Sequence, residues 1–452
     1  MSNYKRYAIV IILVSNGILI SFLESFFPIP IPVPGVKLGF GNIITMIGIA
    51  FLGMRDVMFI VIVRCFVVAV LTRGVMMLAF SLTGGILSAL VMGLLYKKFS
   101  GVFSVKGISI AGALVHSTAQ VVIASFILGQ FVLMYYLPVL LVSAVITGFI
   151  TGSIGEIAIN EIRKLNLFGK SGTTSVLPIT KLTETQKQEA PVVKAKFFHF
   201  LPQMDSGIKF LLAFILSVIP FLCDNQISFA IISGYLLLAT LFSGIRMKTL
   251  FTSFMAYFVV VVFPFLFGFL ISLLFTSISD SAMFTYYSQL GDTVVRMFQL
   301  FLMWYIGCIY FNTTPIKSVI GLFDKLLSPL KYFGVSVSEH LKVVMCVIKE
   351  LTEIGPEVKK NFTESMNSMD TASGTKKKWW SKMNIKGISM ILVNFIVNSF
   401  KRLDIIEQYV KEVEAEELYG YRLKISRSDM FALISCICLI FAIVMVESGR
   451  WF

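Results

Sequence analysis

Long runs of apolar residues alternate along the chain with short polar segments. Each run is continuously apolar rather than alternating between apolar and polar positions, which is typical of membrane-spanning helices and not of membrane β-strands. The pattern predicts eleven spans, six before a polar interruption and five after it. The expected spans are residues 7–23, 40–53, 57–72, 75–96, 107–128, 131–158, 207–223, 226–243, 249–275, 294–312 and 429–447.

The polar segments divide the chain into two modules. Residues 1–160 form a six-span module, and residues 161–206 are rich in Lys, Gly, Ser and Thr, as linkers are. Residues 207–452 carry the other spans and include a long soluble segment, about 315–428, between the last two spans. We therefore expect an all-α polytopic membrane protein with about eleven transmembrane helices and a cytoplasmic helical arm.

Composition supports a membrane protein. Apolar residues make up 57% of the chain and charged residues 14%, against about 25% charged in soluble domains, which excludes a soluble enzyme, a disordered tail and a DNA-binding domain. The net charge of +14 is explained by basic loops on one face, because Lys and Arg concentrate in cytoplasmic loops. Those loops place the N-terminus inside and give no reason to expect a nucleic-acid partner.

The segment between the first two spans has an unusual composition. It reads Pro-Ile-Pro-Ile-Pro-Val-Pro-Gly-Val-Lys-Leu-Gly-Phe-Gly-Asn over residues 28–42, and alternating prolines cannot continue a helix. Two interpretations are open: an outer loop with a stiff turn, or a lid over a binding site. In the second, Lys37 faces an anionic ligand and Asn42 offers a hydrogen bond.

Four further polar or charged residues lie within or at the end of expected spans, where such side chains are energetically costly. Arg64 lies midway along the third expected span and Arg73 at its outer end, and such charges usually face a polar cavity. His116 and Gln120 lie one helical turn apart on the fifth span, so they share a face. His116 could equally make a helix–helix hydrogen bond or contact a ligand.

Three motifs of the first module resemble one known family. Residues 34–42, Ser-Leu-Thr-Gly-Gly over 81–85, and Gly-Ala-Leu-Val-His-Ser-Thr-Ala-Gln over 112–120 are similar to signatures of the Gx transporter family. That family is often labelled heptaprenyl diphosphate synthase component I and is similar to the six-helix, substrate-binding S components of energy-coupling-factor transporters. The chain departs from the pattern at Ser117, where the family often has Asn, and it has no Asp-rich diphosphate-binding motif.

The second module resembles the T (transmembrane coupling) components of the same transporters. The resemblance rests on Leu201-Pro-Gln-Met-Asp-Ser-Gly-Ile-Lys209, on Thr313-Thr-Pro315 and on 414–422, Glu-Ala-Glu-Glu-Leu-Tyr-Gly-Tyr-Arg. It implies that cytosolic ATPases of the ABC type dock on the arm. The family's Ala-Arg-Gly docking motif is altered here, with only its Gly retained. The ATPase-coupling residues that the resemblance implies are Glu417, Tyr419, Gly420 and Arg422.

The soluble segment also has a helical pattern of its own. Apolar residues recur at helical spacing over 341–351 and again over 403–413. These faces either pack on each other or on lipid, or they dock a partner protein.

The sequence therefore predicts a fused S-plus-T transporter subunit in the cytoplasmic membrane of a prokaryote. Its cargo is expected to be a small, vitamin-like anion, with a flavin (riboflavin, FMN or FAD) as the first choice. We expect no catalytic residue, no metal ligand and no cofactor in this chain, so any ATP is used by partner subunits. The alternatives are a membrane component of prenyl diphosphate or quinone synthesis, and a T-type subunit that recruits a separate S component.

Overall fold

The computed structural model of the chain describes a series of helices and the turns between them. It describes residues 3–24, 39–72, 75–99, 101–128, 134, 137–165, 201, 204–245, 247–258, 262–263, 266, 280–327, 341–351, 385–412 and 425–449.

The first module is built from six helices. They are α1 (Asn3–Glu24), α2 (Gly41–Phe51), α3 (Met54–Thr72), α4 (Val75–Phe99), α5 (Val105–Leu128) and α6 (Leu137–Lys164). Helix α2 is short because it starts only after the turn at Gly39 and ends where Leu52 becomes extended. Its first turns are buried, so α2 enters the body of the module rather than covering it.

Glycines set how closely α5 and α6 approach each other. Gly148 and Gly152 lie one turn apart on α6, a small-residue spacing that lets helix backbones touch in a membrane. A Cβ on Gly148 would lie 2.7 Å from Ile110 Cα, and one on Gly152 would lie 2.8 Å from Lys106 Cα. The two backbones are therefore in contact with no side chain between them.

The second module contains a membrane part and an arm. Its helices are α7 (Ser206–Val218, continued by a 3-10 turn Ile219–Leu222), α8 (Gln226–Ser243), α9 (Met247–Tyr257), α10 (Asp280–Thr313), α11 (Ile316–Leu327), α12 (341–351), α13 (Ile385–Phe400), α14 (Leu403–Glu412) and α15 (Arg427–Glu447). Helix α10 ends just before Pro315, since the residue before a proline avoids the helical conformation.

The arm, which we define as α11 to α14, packs on the first module. Helix α13 lies against α1 and α6, and α14 lies along α1. Leu403, Ile406 and Val410 form the buried face of α14 and belong to the same apolar core as α1. The residues of α1 from Ala8 to Val14 are consequently at most 2% exposed. The apolar face of α14 therefore covers the other module.

The helices confirm an all-α polytopic membrane protein. Seven helices within the described ranges are long and apolar enough to cross a membrane, and those ranges contain no strand. Helix α2 and the α7 segment are apolar but shorter, and the ninth expected span, 249–275, lies partly outside the described residues. The tenth expected span, 294–312, agrees with the candidate span Thr293–Thr313, which lies within a longer helix, α10, that begins at Asp280.

Candidate functional site

The candidate ligand-binding residues lie on three helices of the first module. Asn42 is on α2, Arg64 on α3, and His116 and Gln120 are on α5. Lys37 and Arg73 lie outside the described residues. The interpretation of residues 28–38 as a lid or as a stiff outer loop therefore stays a prediction.

Arg64 is a buried charge in the middle of α3. Its side chain is only 6% exposed, and its Nη1 donates a hydrogen bond to the carbonyl oxygen of Gly41 in the first turn of α2. The Thr45 hydroxyl donates to the same oxygen over 3.4 Å. The guanidinium is thus held against the start of α2, where the chain enters the module.

Two glycines from two other helices leave room for the Arg64 side chain. A Cβ on Gly17 of α1 would lie 3.0 Å from Arg64 Cδ, and one on Gly41 of α2 would lie 2.9 Å from Arg64 Cζ. A Cβ on Gly85 of α4 would meet Val61 Cγ1 first, at 2.9 Å, and would lie 4.0 Å from the other guanidinium nitrogen. The Arg64 side chain therefore occupies a space next to Gly17 of α1 and Gly41 of α2, which we call the cradle. A larger side chain at either position would fill that space.

The turn before α2 is tied to the end of α1. Gly39 has φ +73°, a left-handed conformation that favours glycine, and its N–H donates to Glu24 Oε1 at 2.7 Å. The backbone N–H of Asn42 donates to the Gly39 carbonyl at 2.8 Å, and Asn42 itself is 7% exposed. Glu24 at the end of α1 thus binds the turn that precedes α2.

His116 lies on the opposite side of the same double glycine as Arg64. A Cβ on Gly84 would lie 2.9 Å from His116 Nδ1, whereas one on the neighbouring Gly85 would lie 2.9 Å from Val61 Cγ1 and 4.0 Å from Arg64 Nη2. Gln120 follows one turn later on α5 and is half-buried. The motif at 81–85 therefore has a packing role, because it lets two polar side chains approach α4 from both sides.

This arrangement is suited to an anionic ligand. A guanidinium offers five N–H donors, and a buried charge is costly unless it is paired. Within the described ranges no carboxylate forms an ion pair with Arg64. A phosphate or carboxylate brought next to Arg64 would supply an opposite charge.

A separate cavity lies at the other end of the module. It has a volume of about 410 Å³ at the turn between α2 and α3 and is lined by Arg6, Arg55 and Asp56 among others. Arg6 is already paired there, since its Nε donates to Asp56 Oδ2 at 2.9 Å. This cavity is distant from the Arg64 cradle along α3, and we do not assign the ligand to it.

The arm contacts α1 through polar groups as well as apolar ones. Ser399 Oγ donates to Asn16 Oδ1 at 2.9 Å, and the Lys411 ammonium lies 5.9 Å from the centre of the Tyr4 ring. Both contacts join residues of the two modules. The candidate ATPase-coupling residues Glu417, Tyr419, Gly420 and Arg422 lie outside the described residues, shortly after α14.

A buried polar cluster in the second module was not predicted as such. Asp429, which is 0% exposed, accepts hydrogen bonds from Asp205 N at 2.9 Å and from Ser426 N at 2.7 Å. Lys209, 6% exposed, donates to the Thr313 carbonyl at 2.9 Å. The sequence signal for it was the Asp205–Lys209 spacing, which had been interpreted only as a family motif.

One comparison with known proteins matches part of the chain. Residues 13–157 match the family model described as "Heptaprenyl diphosphate synthase component I". The match covers most of the first module and confirms the resemblance of that module, whereas the second module lies outside it. No curated protein matches the chain.

Proposed function

We propose that the chain is a fused S- and T-type subunit of an energy-coupling-factor transporter. It moves a small anionic molecule and depends on separate cytosolic ATPases. The observation that carries the proposal is the packing of α1. This helix of the first module lies against α13 and α14 of the second module's arm and shares an apolar core with them. A displacement of the arm would therefore act directly on the binding module.

The proposed cargo site is centred on Arg64. Its guanidinium lies against Gly41, the residue before Asn42, and His116 of α5 packs against Gly84 of α4. Lys37 and Arg73 are proposed to add positive charge at the mouth of this site. Among flavins, FMN and FAD present phosphate groups that an arginine can bind through two parallel hydrogen bonds, and we propose a flavin as the first cargo to test.

Equilibrium binding to the purified whole chain in mild detergent tests the site. Riboflavin, FMN and FAD fluorescence would be titrated against the native chain, Arg64→Met and Arg64→Lys. We expect Arg64→Met to weaken binding of the phosphorylated flavins at least about tenfold, since a charge-assisted hydrogen bond is worth about 1.5–3 kcal/mol. Arg55→Met is the matched control, because Arg55 is exposed near the start of the same helix.

The result that would overturn the site is flavin binding that Arg64→Met leaves unchanged at equal folded yield. If the native chain binds none of the three flavins, flavin is rejected as the cargo. The anion site would then be tested with other phosphorylated vitamins. The titration of the native chain separates these two outcomes, because Arg64→Met is informative only when the native chain binds a flavin.

A second candidate function is favoured by the description of the matching family. That description names a component of heptaprenyl diphosphate synthase, so the chain could serve as a membrane component in prenyl diphosphate or quinone synthesis. Such a component would co-purify with a prenyl synthase rather than with ATPases. The sequence has no Asp-rich motif that would hold Mg²⁺ and diphosphate, so we rank this candidate second.

A further inference from the structure

The cavity at the turn between α2 and α3 lies at the basic end of the first module. The helix ends on this side carry Lys and Arg residues, among them Arg6, Arg55, Lys97, Lys106 and Arg163. In the described helices α1 to α6, the two turns at the opposite ends contain no Lys or Arg. Because these residues concentrate on the cytoplasmic side of a membrane, we expect the cavity to lie at the level of the cytoplasmic lipid headgroups.

Arg6 is held in this cavity by a carboxylate and keeps further donors. Its Nε donates to Asp56 Oδ2 at 2.9 Å, and its Nη2 donates to Oδ1 of the same carboxylate. A guanidinium has five N–H groups, so three of them are not used by Asp56. Arg55 is exposed and adds a second guanidinium to the lining. With two arginines and one carboxylate, the cavity has a net positive charge.

The rest of the lining is apolar, and the cavity has the size of a headgroup. Phe51, Leu52 and Met54 line it beside the arginines. Its volume of about 410 Å³ lies within the range of small-molecule sites, about 300–1,000 Å³. A phosphate diester headgroup would enter such a space, and its acyl chains would stay outside.

The surface of α3 next to the cavity can accommodate acyl chains. Ile62 lies two turns after Arg55 on the same face of α3 and is 43% exposed. An exposed apolar side chain on a membrane helix faces lipid or a partner helix. A lipid whose phosphate contacts Arg55 can therefore lay its chains along this face, which a soluble anion cannot use.

We propose that this cavity binds the headgroup of an anionic phospholipid of the cytoplasmic leaflet, with Arg6 and Arg55 contacting its phosphate. Guanidinium groups bind phosphate through paired, charge-assisted hydrogen bonds, and basic pockets between the cytoplasmic ends of membrane helices bind anionic headgroups. A zwitterionic lipid carries a cation beside its phosphate, so a cavity of net positive charge favours phosphatidylglycerol over phosphatidylcholine. The site lies about 13 Å along α3 from Arg64, at about 1.5 Å per residue, so it is separate from the proposed cargo site.

Lipid binding to the purified whole chain tests the proposal. The chain would be stripped of lipid in detergent and titrated with phosphatidylglycerol or phosphatidylcholine of the same acyl chains, and bound lipid would be counted by native mass spectrometry. We expect one phosphatidylglycerol to bind at least about fivefold more tightly than phosphatidylcholine, because each basic residue near an anionic headgroup contributes a factor of about that size. Arg55→Met should remove most of this preference.

Arg163→Met is the matched control. It removes the same charge from an exposed position at the same end of the module, outside the cavity, and should keep the preference for phosphatidylglycerol. Equal losses in Arg163→Met and Arg55→Met would overturn the proposal, because they would show a diffuse attraction to the basic end of the module. Equal binding of the two lipids by the native chain would also overturn it.

A competition measurement separates a lipid from a soluble anion. Inorganic phosphate at the concentration of the lipid should not displace phosphatidylglycerol, because phosphate has no acyl chains to lie along α3. Displacement at that concentration would reject a lipid as the occupant. Neither cargo nor ATPase takes part in these measurements, so their failure is distinct from a failure of the proposed function.

Discussion

At the scale of single residues, the central feature is the buried side chain of Arg64, which fits between helices because glycines lie next to it. Gly17 on α1 and Gly41 on α2 leave space beside Arg64 that a methyl group would fill. Within the described residues the guanidinium donates to a backbone carbonyl and forms no ion pair with a carboxylate. A buried charge is costly unless it is paired, which is why we propose an anion as its partner.

Gly41→Ala is expected to displace the Arg64 guanidinium. The new Cβ would lie 2.9 Å from Arg64 Cζ, and the end of a flexible side chain can move where a backbone cannot. We expect a loss of about 1–3 kcal/mol of stability and weaker anion binding, measured by thermal unfolding and by flavin titration. Gly234→Ala is the control: nothing lies within 4 Å of its Cβ, so it should be neutral or stabilise α8 by up to about 1 kcal/mol. Equal effects of the two substitutions would contradict the cradle.

The sequence identified some of these residues and could not identify others. A charge inside an apolar run is conspicuous, so the sequence predicts Arg64 as a candidate, whereas the double glycine at 84–85 is identifiable only as part of a family motif. Gly17 gave no signal, because a single glycine in an apolar helix has many possible reasons. The partner of Lys209 was also beyond prediction, since Thr313 lies 104 residues away and contributes only a backbone carbonyl.

At the scale of helices, close backbone contact determines how the first module is assembled. Gly148→Ala is expected to be the more damaging kind of glycine substitution, because its Cβ would meet Ile110 Cα at 2.7 Å and whole helices must then move apart. We expect a loss of about 1–3 kcal/mol, seen as a lower midpoint of thermal unfolding. Gly155→Ala on the same helix, with its nearest atom at 3.9 Å, should have little effect. A tolerated Gly148→Ala would contradict the described α5–α6 contact.

The helices of the arm were predictable from their period, but their partner was not. The apolar spacing over 403–413 predicted a helix with one buried face, which α14 has. The surface that covers this face is α1, whose apolar residues look in the sequence like those of any lipid-facing span. Ser15 and Asn16, polar residues in an apolar run, distinguish α1, and such residues do not reveal which helix they meet.

The thiol of Cys346 offers a chemical test of how α12 packs. Burial raises the pKa of Cys346 from 9.0 to about 11, because a buried site disfavours the thiolate, although Lys342 and Lys349 act in the opposite direction. The raised pKa keeps the thiol protonated at pH 8, so its thiolate fraction there is about a hundredfold below that of a thiol with the ordinary pKa. We expect slow maleimide modification at pH 8 that accelerates as the pH rises toward 11, measured by mass spectrometry of the peptide. Rapid modification at pH 8 would show that α12 is not packed as described.

At the scale of the whole molecule, the two modules meet over α1, and cross-linking tests that contact directly. Asn16→Cys combined with Ser399→Cys should form a disulfide readily, because the native side-chain oxygens lie 2.9 Å apart. A protease site introduced into the linker at 161–206 would then separate the halves only after reduction. Asn398→Cys replaces Ser399→Cys in the control, since Asn398 is exposed. Equal cross-linking of both pairs would contradict the described contact between α13 and α1.

The claim that the chain is a coupled transporter subunit is tested most directly by what it binds in its native membrane. The tagged chain would be extracted in mild detergent and its co-purifying proteins and small molecules identified by mass spectrometry, in parallel with Arg422→Ala. The account predicts a pair of ABC-type ATPases and a small anionic molecule with the native chain, and loss of the ATPases from Arg422→Ala. Purification of a prenyl synthase without ATPases would contradict it.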